Sequence, residues 1–350
     1  MSGRNATVVA AGVSLVLCIA VAGLRPVPFV TTSPGPTVDT LGSVDGRPVV
    51  TIEGRRTYPT AGRLELTTVR VTSGDTRISL LQAVQAWFDP HREVLPRDVI
   101  YPPDQSVAQI EEQNAEEMQT SQQTAVVAAL RELGVRVPAA VVVQSITEGA
   151  PALGHLRAGD VLRVVNGRPI TAAGQVGVAL QRTEPGETAT FEVTRDGRAM
   201  TVTSPTQAAP DDPEHTLVGI SVSAGYDLPF DVTVRIDPDI GGPSAGTMFA
   251  LAILDKLTPG PLTGGAVVAG TGSISPDGQV GGIGGIQQKI VGAADEGATV
   301  FLVPDPNCAA ALNADISGIR LVQIRTLHGA VTALKALAED PDAKVPACTS

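Results

Sequence analysis

The run Gly241-Gly242-Pro243-Ser244-Ala245-Gly246, leading straight into an apolar segment over residues 247–257, constrains the fold more than any other part of the chain. An apolar segment of that length reads as a buried helix, so other elements must cover it. The glycine-flanked serine then lies on the loop that feeds the helix. Strands are predicted before it, over 218–222 and 232–236, and after it, over 266–270, 299–304 and 319–324. Helices are predicted over the segment around Lys289 and over 327–338. Strands alternating with helices place this half in the α/β or α+β class, and the chain as a whole reads as α+β.

The N-terminus carries a location signal. No charged residue occurs between Ala6 and Leu24, a run close to the ~20 residues a spanning helix needs. Arg4 precedes the run, and the first acidic residue is Asp39. The expectation is a signal anchor over 1–25, a single-pass transmembrane helix in the cell membrane, with the remainder on the extracytoplasmic side. Ala20-Val21-Ala22 would serve as a cleavage site in a secretory signal, but the run is long for one.

Residues 26–41, rich in Pro, Thr and Ser, read as an extended stretch leaving the membrane. A strand is expected over 64–71. A helix is expected over 79–88, capped by Ser79, with Leu80, Leu81, Val84 and Trp87 on one face. Another is expected over 104–133, closed by Gly134. The turn signals Asn166-Gly167 and Asp196-Gly197 mark hairpins in a self-contained unit over 137–206. The expected layout is therefore an anchor over 1–25, a linker and first part of a larger domain over 26–136, the unit at 137–206, and the main domain over 207–350.

Charge and composition exclude several functions. The net charge is −11, from 25 basic against 36 acidic residues, so no basic face is expected for nucleic acid. Aromatics make up 3%, too few for stacking platforms. No G-x-x-x-x-G-K-[S/T] loop occurs, so ATP is not an expected ligand. No cofactor and no metal is called for. Cys308 and Cys348 fall in the part read as exported, where pairing is chemically allowed.

Ser244 at a helix start would face backbone N–H groups able to hold an oxyanion. Gly242, Pro243 and Ala245 frame it, and Gly241, Gly242 and Gly246 let a substrate backbone approach. The chain has four lysines, Lys256, Lys289, Lys335 and Lys344. Helical spacing places Ile286, Lys289, Ile290 and Ala293 on one apolar face. A lysine desolvated in that way is favoured as the neutral amine and can serve as a base. The pair reads as a Ser–Lys catalytic dyad. Two rivals use the same residues. A Ser-His-Asp esterase would recruit Asp305 and His328, which follow Ser244 in the order of that fold. A non-catalytic adaptor would make Ser244 a structural helix cap.

Two resemblances sharpen these expectations. The segments Ala158-Gly159-Asp160-Val161-Leu162 and Val165-Asn166-Gly167-Arg168-Pro169-Ile170 resemble a PDZ domain of bacterial exported proteases. That implies recruitment of peptide ends by strand addition, with Gly134-Val135-Arg136-Val137 at the end-binding loop. The ordered set Gly242-Pro243-Ser244-Ala245-Gly246, Thr271-Gly272, Gly278-Gln279-Val280, Ile283-Gly284-Gly285-Ile286 and Lys289 resembles the proteolytic domain of Lon proteases. It implies Ser244 as nucleophile, Lys289 as general base and Thr271 orienting the lysine. Together with the N-terminal run, the layout resembles membrane-anchored PDZ-containing Lon-like serine proteases without an ATPase, in which the PDZ domain is inserted in the protease domain. Such a protein would be an ATP-independent endopeptidase acting on exported or membrane-near polypeptides, with a tendency to form homo-oligomeric rings. Gly241 replaces a frequent Asp of that family, leaving Asp237 or Asp239 to supply acidic hydrogen bonding. Gln287-Gln288 leaves Lys289 as the single basic candidate there.

Overall fold

The computed structural model describes residues 3–349 apart from Asp196, Asp211 and Asp315, with side chains from residue 7 onward. Two compact units form, one from the residues up to Thr51, Thr57–Glu132 and Val234 onward, the other from Ile52–Arg56 and Leu133–Thr233. The first unit opens with α1 (Gly3–Gly23), β1 (Phe29–Asp39), β2 (Arg63–Val71), α2 (Leu80–Trp87), β3 (Glu93–Pro96) and α3 (Val107–Glu132). The second unit holds β4 (Ala139–Ile146), β5 (Val161–Val165), α4 (Gly174–Leu180), β6 (Thr188–Arg195), β7 (Arg198–Pro205) and β8 (Ile220–Tyr226). The chain then returns to the first unit with α5 (Gly246–Leu257), β9 (Val267–Gly270), α6 (Ile286–Asp295), β10 (Val300–Pro304), β11 (Arg320–Ile324) and α7 (Leu327–Glu339).

The first unit is built on a mixed sheet of order β11-β10-β9-β2-β1-β3. β2, β9, β10 and β11 run parallel, and β1 runs antiparallel to both β2 and β3. Side chains alternate across a strand, and the two faces are covered differently. Ala269, Phe301 and Val303 pack against Ile286, Ile290 and Ala293 of α6. Their neighbours Gly270 and Leu302 point the other way, where a Cβ on Gly270 would come within 2.8 Å of Met248 Sδ of α5. α5 and α6 therefore lie on opposite faces. From Gly246 to Asp255 every residue of α5 is buried, the polar Thr247 and Asp255 included.

The stretch read as a linker after residue 26 contains β1, a strand hydrogen-bonded on both sides. Pro34 and Pro36 are accommodated at a register shift between Pro34 and Thr37, which is where a strand tolerates proline. α2 has the expected capping box from Ser79 and Gln82, yet it packs through Ala83 and Ala86 and turns its larger apolar residues outward. Among the described residues no helix is long and apolar enough to cross a membrane, so the expected transmembrane helix over 1–25 gains no support there. α1 is helical throughout its length.

Cys308 and Cys348 are joined by a disulfide, with Cα atoms 5.1 Å apart. The tail is further held by the Gln323 N–H to Pro346 O bond of 3.0 Å and by Arg320 donating to Pro341 O and Ala343 O.

The second unit carries an antiparallel sheet of order β7-β6-β5-β4-β8 around Phe191, Leu162, Val143 and Leu156. The unit is longer than the expected 137–206. β8 pairs with β4 from Ile220–Ile146 to Tyr226–Ala139, so the sheet takes its fifth strand from residues assigned by sequence to the following domain. Asn166 and Gly167 both adopt positive φ, 48° and 75°, as a tight hairpin requires. Asp196 of the second turn signal lies outside the described residues.

Candidate active site

Three segments of the first unit converge at the C-terminal end of β9. The loop before α5 brings Ser244, the residue after β9 is Thr271, and the first turns of α6 bring Lys289. Open α/β sheets place their ligand crevice at this end of the parallel strands. Lys289 Nζ donates to Ser244 Oγ at 2.8 Å and to Thr271 Oγ1 at 3.1 Å. Thr271 Oγ1 in turn donates to the Ser244 carbonyl at 3.0 Å. Lys289 is 4% exposed, and burial alone pushes its ammonium down from 10.5 to about 8. An ion in a low-dielectric site loses hydration, so the neutral amine gains.

The serine loop is fixed from several sides. The Gly272 N–H donates to Ser244 O at 2.8 Å, and Thr247 N–H to Gly272 O at 3.0 Å. Gly272 has φ 145°, a conformation for which a side chain is poorly suited, and a Cβ there would meet Thr247 Oγ1 at 2.7 Å. From α3, Ser121 Oγ donates to Pro243 O at 3.0 Å and Asn114 O accepts from the Gly242 N–H at 2.9 Å. No local motif flags Asn114 or Ser121; they lie more than a hundred residues upstream, in a helix whose sequence is polar at first and apolar only toward its end. Gly285, just before α6, lies in the left-handed region with φ 66°, and the Lys289 N–H closes the first turn on Gly285 O.

A groove of about 710 Å³ opens over the pair. Leu66, Val69 and Met118 form an apolar part, and Asp237 and Asp239 stand at its border. These two aspartates do not supply acidic support to the pair: Asp237 accepts from the Asp239 N–H at 3.0 Å and both are exposed. Gln287 is bonded to Ala310 O. The residues of the esterase arrangement are not assembled. His328 is 77% exposed and bonded to Glu132 at 2.8 Å, and Asp305 pairs with Arg325 and Gln323. Among the described residues no group of His, Cys, Asp and Glu is arranged to hold a metal.

Residues 237–319 match the Lon protease (S16) C-terminal proteolytic domain, and residues 111–205 match the PDZ domain family. The chain carries a PDZ domain and a Lon-type proteolytic domain. The Lon protease of Campylobacter concisus is 31% identical over 154 residues, 43% of this chain and 19% of that protein. That of Mesomycoplasma hyopneumoniae is 36% identical over 96 residues, 27% and 10% of the two chains. The chain thus spans 19% or less of the length of these relatives. The PDZ domain of the SdrC-like protein of Listeria innocua is 20% identical, covering 24% of this chain and 92% of that one, at a TM-score of 0.22. The Lon-type matches support a serine-type peptidase, and within the Lon-type domain the matched segment includes Ser244, Thr271 and Lys289.

In the PDZ-containing unit, Gly134–Val137 leads into β4, an interior strand bounded by β5 and β8, and so presents no open edge. β8 is an outer strand of that sheet, and it lies beyond the PDZ match.

Proposed function

We propose that the protein is an ATP-independent serine endopeptidase in which Ser244 and Lys289 form the dyad. The observation that carries this is the 2.8 Å contact between Lys289 Nζ and Ser244 Oγ, made by a buried lysine lowered to about 8. Neutral Lys289 takes the Ser244 proton as Oγ attacks the substrate carbonyl, and the resulting ammonium returns that proton to the leaving amine. Thr271 receives a hydrogen bond from Nζ and holds the amine toward Oγ. The backbone N–H groups of Ser244 and Ala245, ahead of α5, hold the oxyanion. The groove receives an extended polypeptide, and its apolar part favours a large apolar side chain beside the scissile bond. The second unit, which contains the PDZ domain, recruits substrate by adding a peptide strand along its outer strand β8.

Attachment to a membrane through α1, with both domains on the extracytoplasmic side, belongs to this proposal. Its support is the charge-free run from Ala6 to Leu24 and the exposure of Val8, Val13, Leu15, Leu17 and Ile19 on all sides of α1. The Cys308–Cys348 disulfide suits an oxidising compartment.

An activity-based serine probe tests the chemistry. Wild type is expected to label at Ser244 and to cleave an unfolded polypeptide without nucleotide. Ser244→Ala is expected to fold normally and do neither. Full hydrolysis by Ser244→Ala would overturn the reading.

A further inference from the structure

We infer that α2 is a membrane-interface helix, docking its outward face in the lipid headgroup region beside α1; this rests on the proposed attachment of α1. Leu80, Leu81, Val84, Trp87 and Phe88 follow one another around the helix as a continuous stripe. Trp87 is 75% and Phe88 83% exposed, and the other three are exposed as well. The opposite side is small, and its Ala83 and Ala86 are buried. This inverts the usual arrangement of a surface helix, in which the large apolar residues face the core.

Continuity with α1 identifies the occupant. The Leu80 N–H donates to Arg25 O at 2.9 Å, and the Val27 N–H to Ile78 O at 3.0 Å. A Cβ on Gly23, the last residue of α1, would lie 3.6 Å from Leu81 Cβ. The first turn of α2 is thus tied to the residues that leave α1, at the depth where α1 would meet the headgroups. Aromatic residues concentrate at that depth. No acidic residue occurs between Asp75 and Asp89 in a chain of net charge −11, and Arg25 and Arg77 are exposed nearby, which suits anionic lipid. A second copy fits less well, since a stable interface needs about 800 Å² per partner and this face offers five apolar side chains.

Trp87 is the only tryptophan, so its fluorescence reports α2 without background. The full chain is reconstituted in vesicles of phosphatidylcholine and phosphatidylglycerol carrying quenchers at shallow or deep acyl positions. Flotation with the vesicles reports α1. The inference predicts a blue-shifted Trp87 emission, quenched several-fold more by the shallow label than by the deep one and weakly by aqueous acrylamide. In a Leu81→Gln, Val84→Gln double variant, flotation and peptide hydrolysis should persist while lipid quenching falls several-fold. Flotation with Trp87 open to acrylamide and untouched by lipid quenchers overturns this inference and leaves the attachment of α1 standing. Failure to float overturns both. Shielding that disappears as protein is diluted within the bilayer assigns the face to a second copy and overturns it as well.

Discussion

Lys289 is held where its ammonium is disfavoured, and that has a consequence for stability that can be separated from catalysis. Its value in the fold is about 8, against 10.5 unperturbed. Between those values the unfolded chain binds a proton that the folded chain does not, so stability rises with pH across that window. Below about 8 both states are protonated, and the fold carries the full cost of the buried charge, about 3 kcal/mol. Lys289→Met removes that cost and keeps the apolar stem. The variant is expected to be inactive, yet more stable at neutral pH by up to about 3 kcal/mol, with a flat dependence where wild type gains. Denaturant unfolding at neutral and alkaline pH measures this, and a variant less stable than wild type at both would count against the burial argument. The lysine was legible in the sequence because its neighbours at i−3, i+1 and i+4 are apolar. Its pairing with Ser244 is read there only as a role; the 2.8 Å distance depends on where β9 ends.

At the level of elements, the helices that carry the chemistry were readable from periodicity, and α5 and α6 form close to where the pattern puts them. β1 was hidden because Pro34, Gly35 and Pro36 look like linker, and only the sheet reveals why they are tolerated. At Gly35 a Cβ would meet Thr68 Oγ1 at 2.3 Å and Thr68 backbone at 2.8 Å. α2 was readable as an amphipathic helix but not for which side faces the protein, because burial follows the small Ala83 and Ala86 rather than hydrophobicity. The segment that follows β9 and hydrogen-bonds to the serine loop gives a test at this scale. Gly272→Ala forces a side chain at φ 145° against Thr247 Oγ1 and disturbs the bond to Ser244 O. It is expected to cost roughly 1–3 kcal/mol of stability and to lower kcat more than it raises KM. Thermal melts and steady-state kinetics on one peptide check both. Unchanged kcat would mean that the Gly272 N–H does not position the serine.

Across the whole molecule, sequence order conceals what folding joins. The first unit takes its central strands from both sides in sequence of the PDZ-containing unit, so local motifs identify each without fixing where either ends, and the last strand of the second sheet comes from residues that the sequence alone gives to the following domain. The disulfide closes the C-terminal tail over 40 residues. Cys308→Ser with Cys348→Ser is expected to lower stability by about 4 kcal/mol if chain entropy governs the effect. The same bond tests the compartment, since mapping of non-reduced protein from cells should recover the linked peptide, and two freely alkylatable thiols in the native protein would remove the support for an extracytoplasmic location.

The central claim is that Lys289 is the base for Ser244, and Lys289→Arg tests it most directly. Arginine keeps the positive charge and much of the stem but cannot give up its proton near neutral pH. Hydrolysis of one peptide should be followed for wild type and variant from well below to well above pH 8. Wild-type kcat/KM is predicted to rise through about 8, the value set by the buried lysine, and the folded variant is predicted to be inactive throughout. Wild-type turnover in folded Lys289→Arg, with the same rise, would contradict the account.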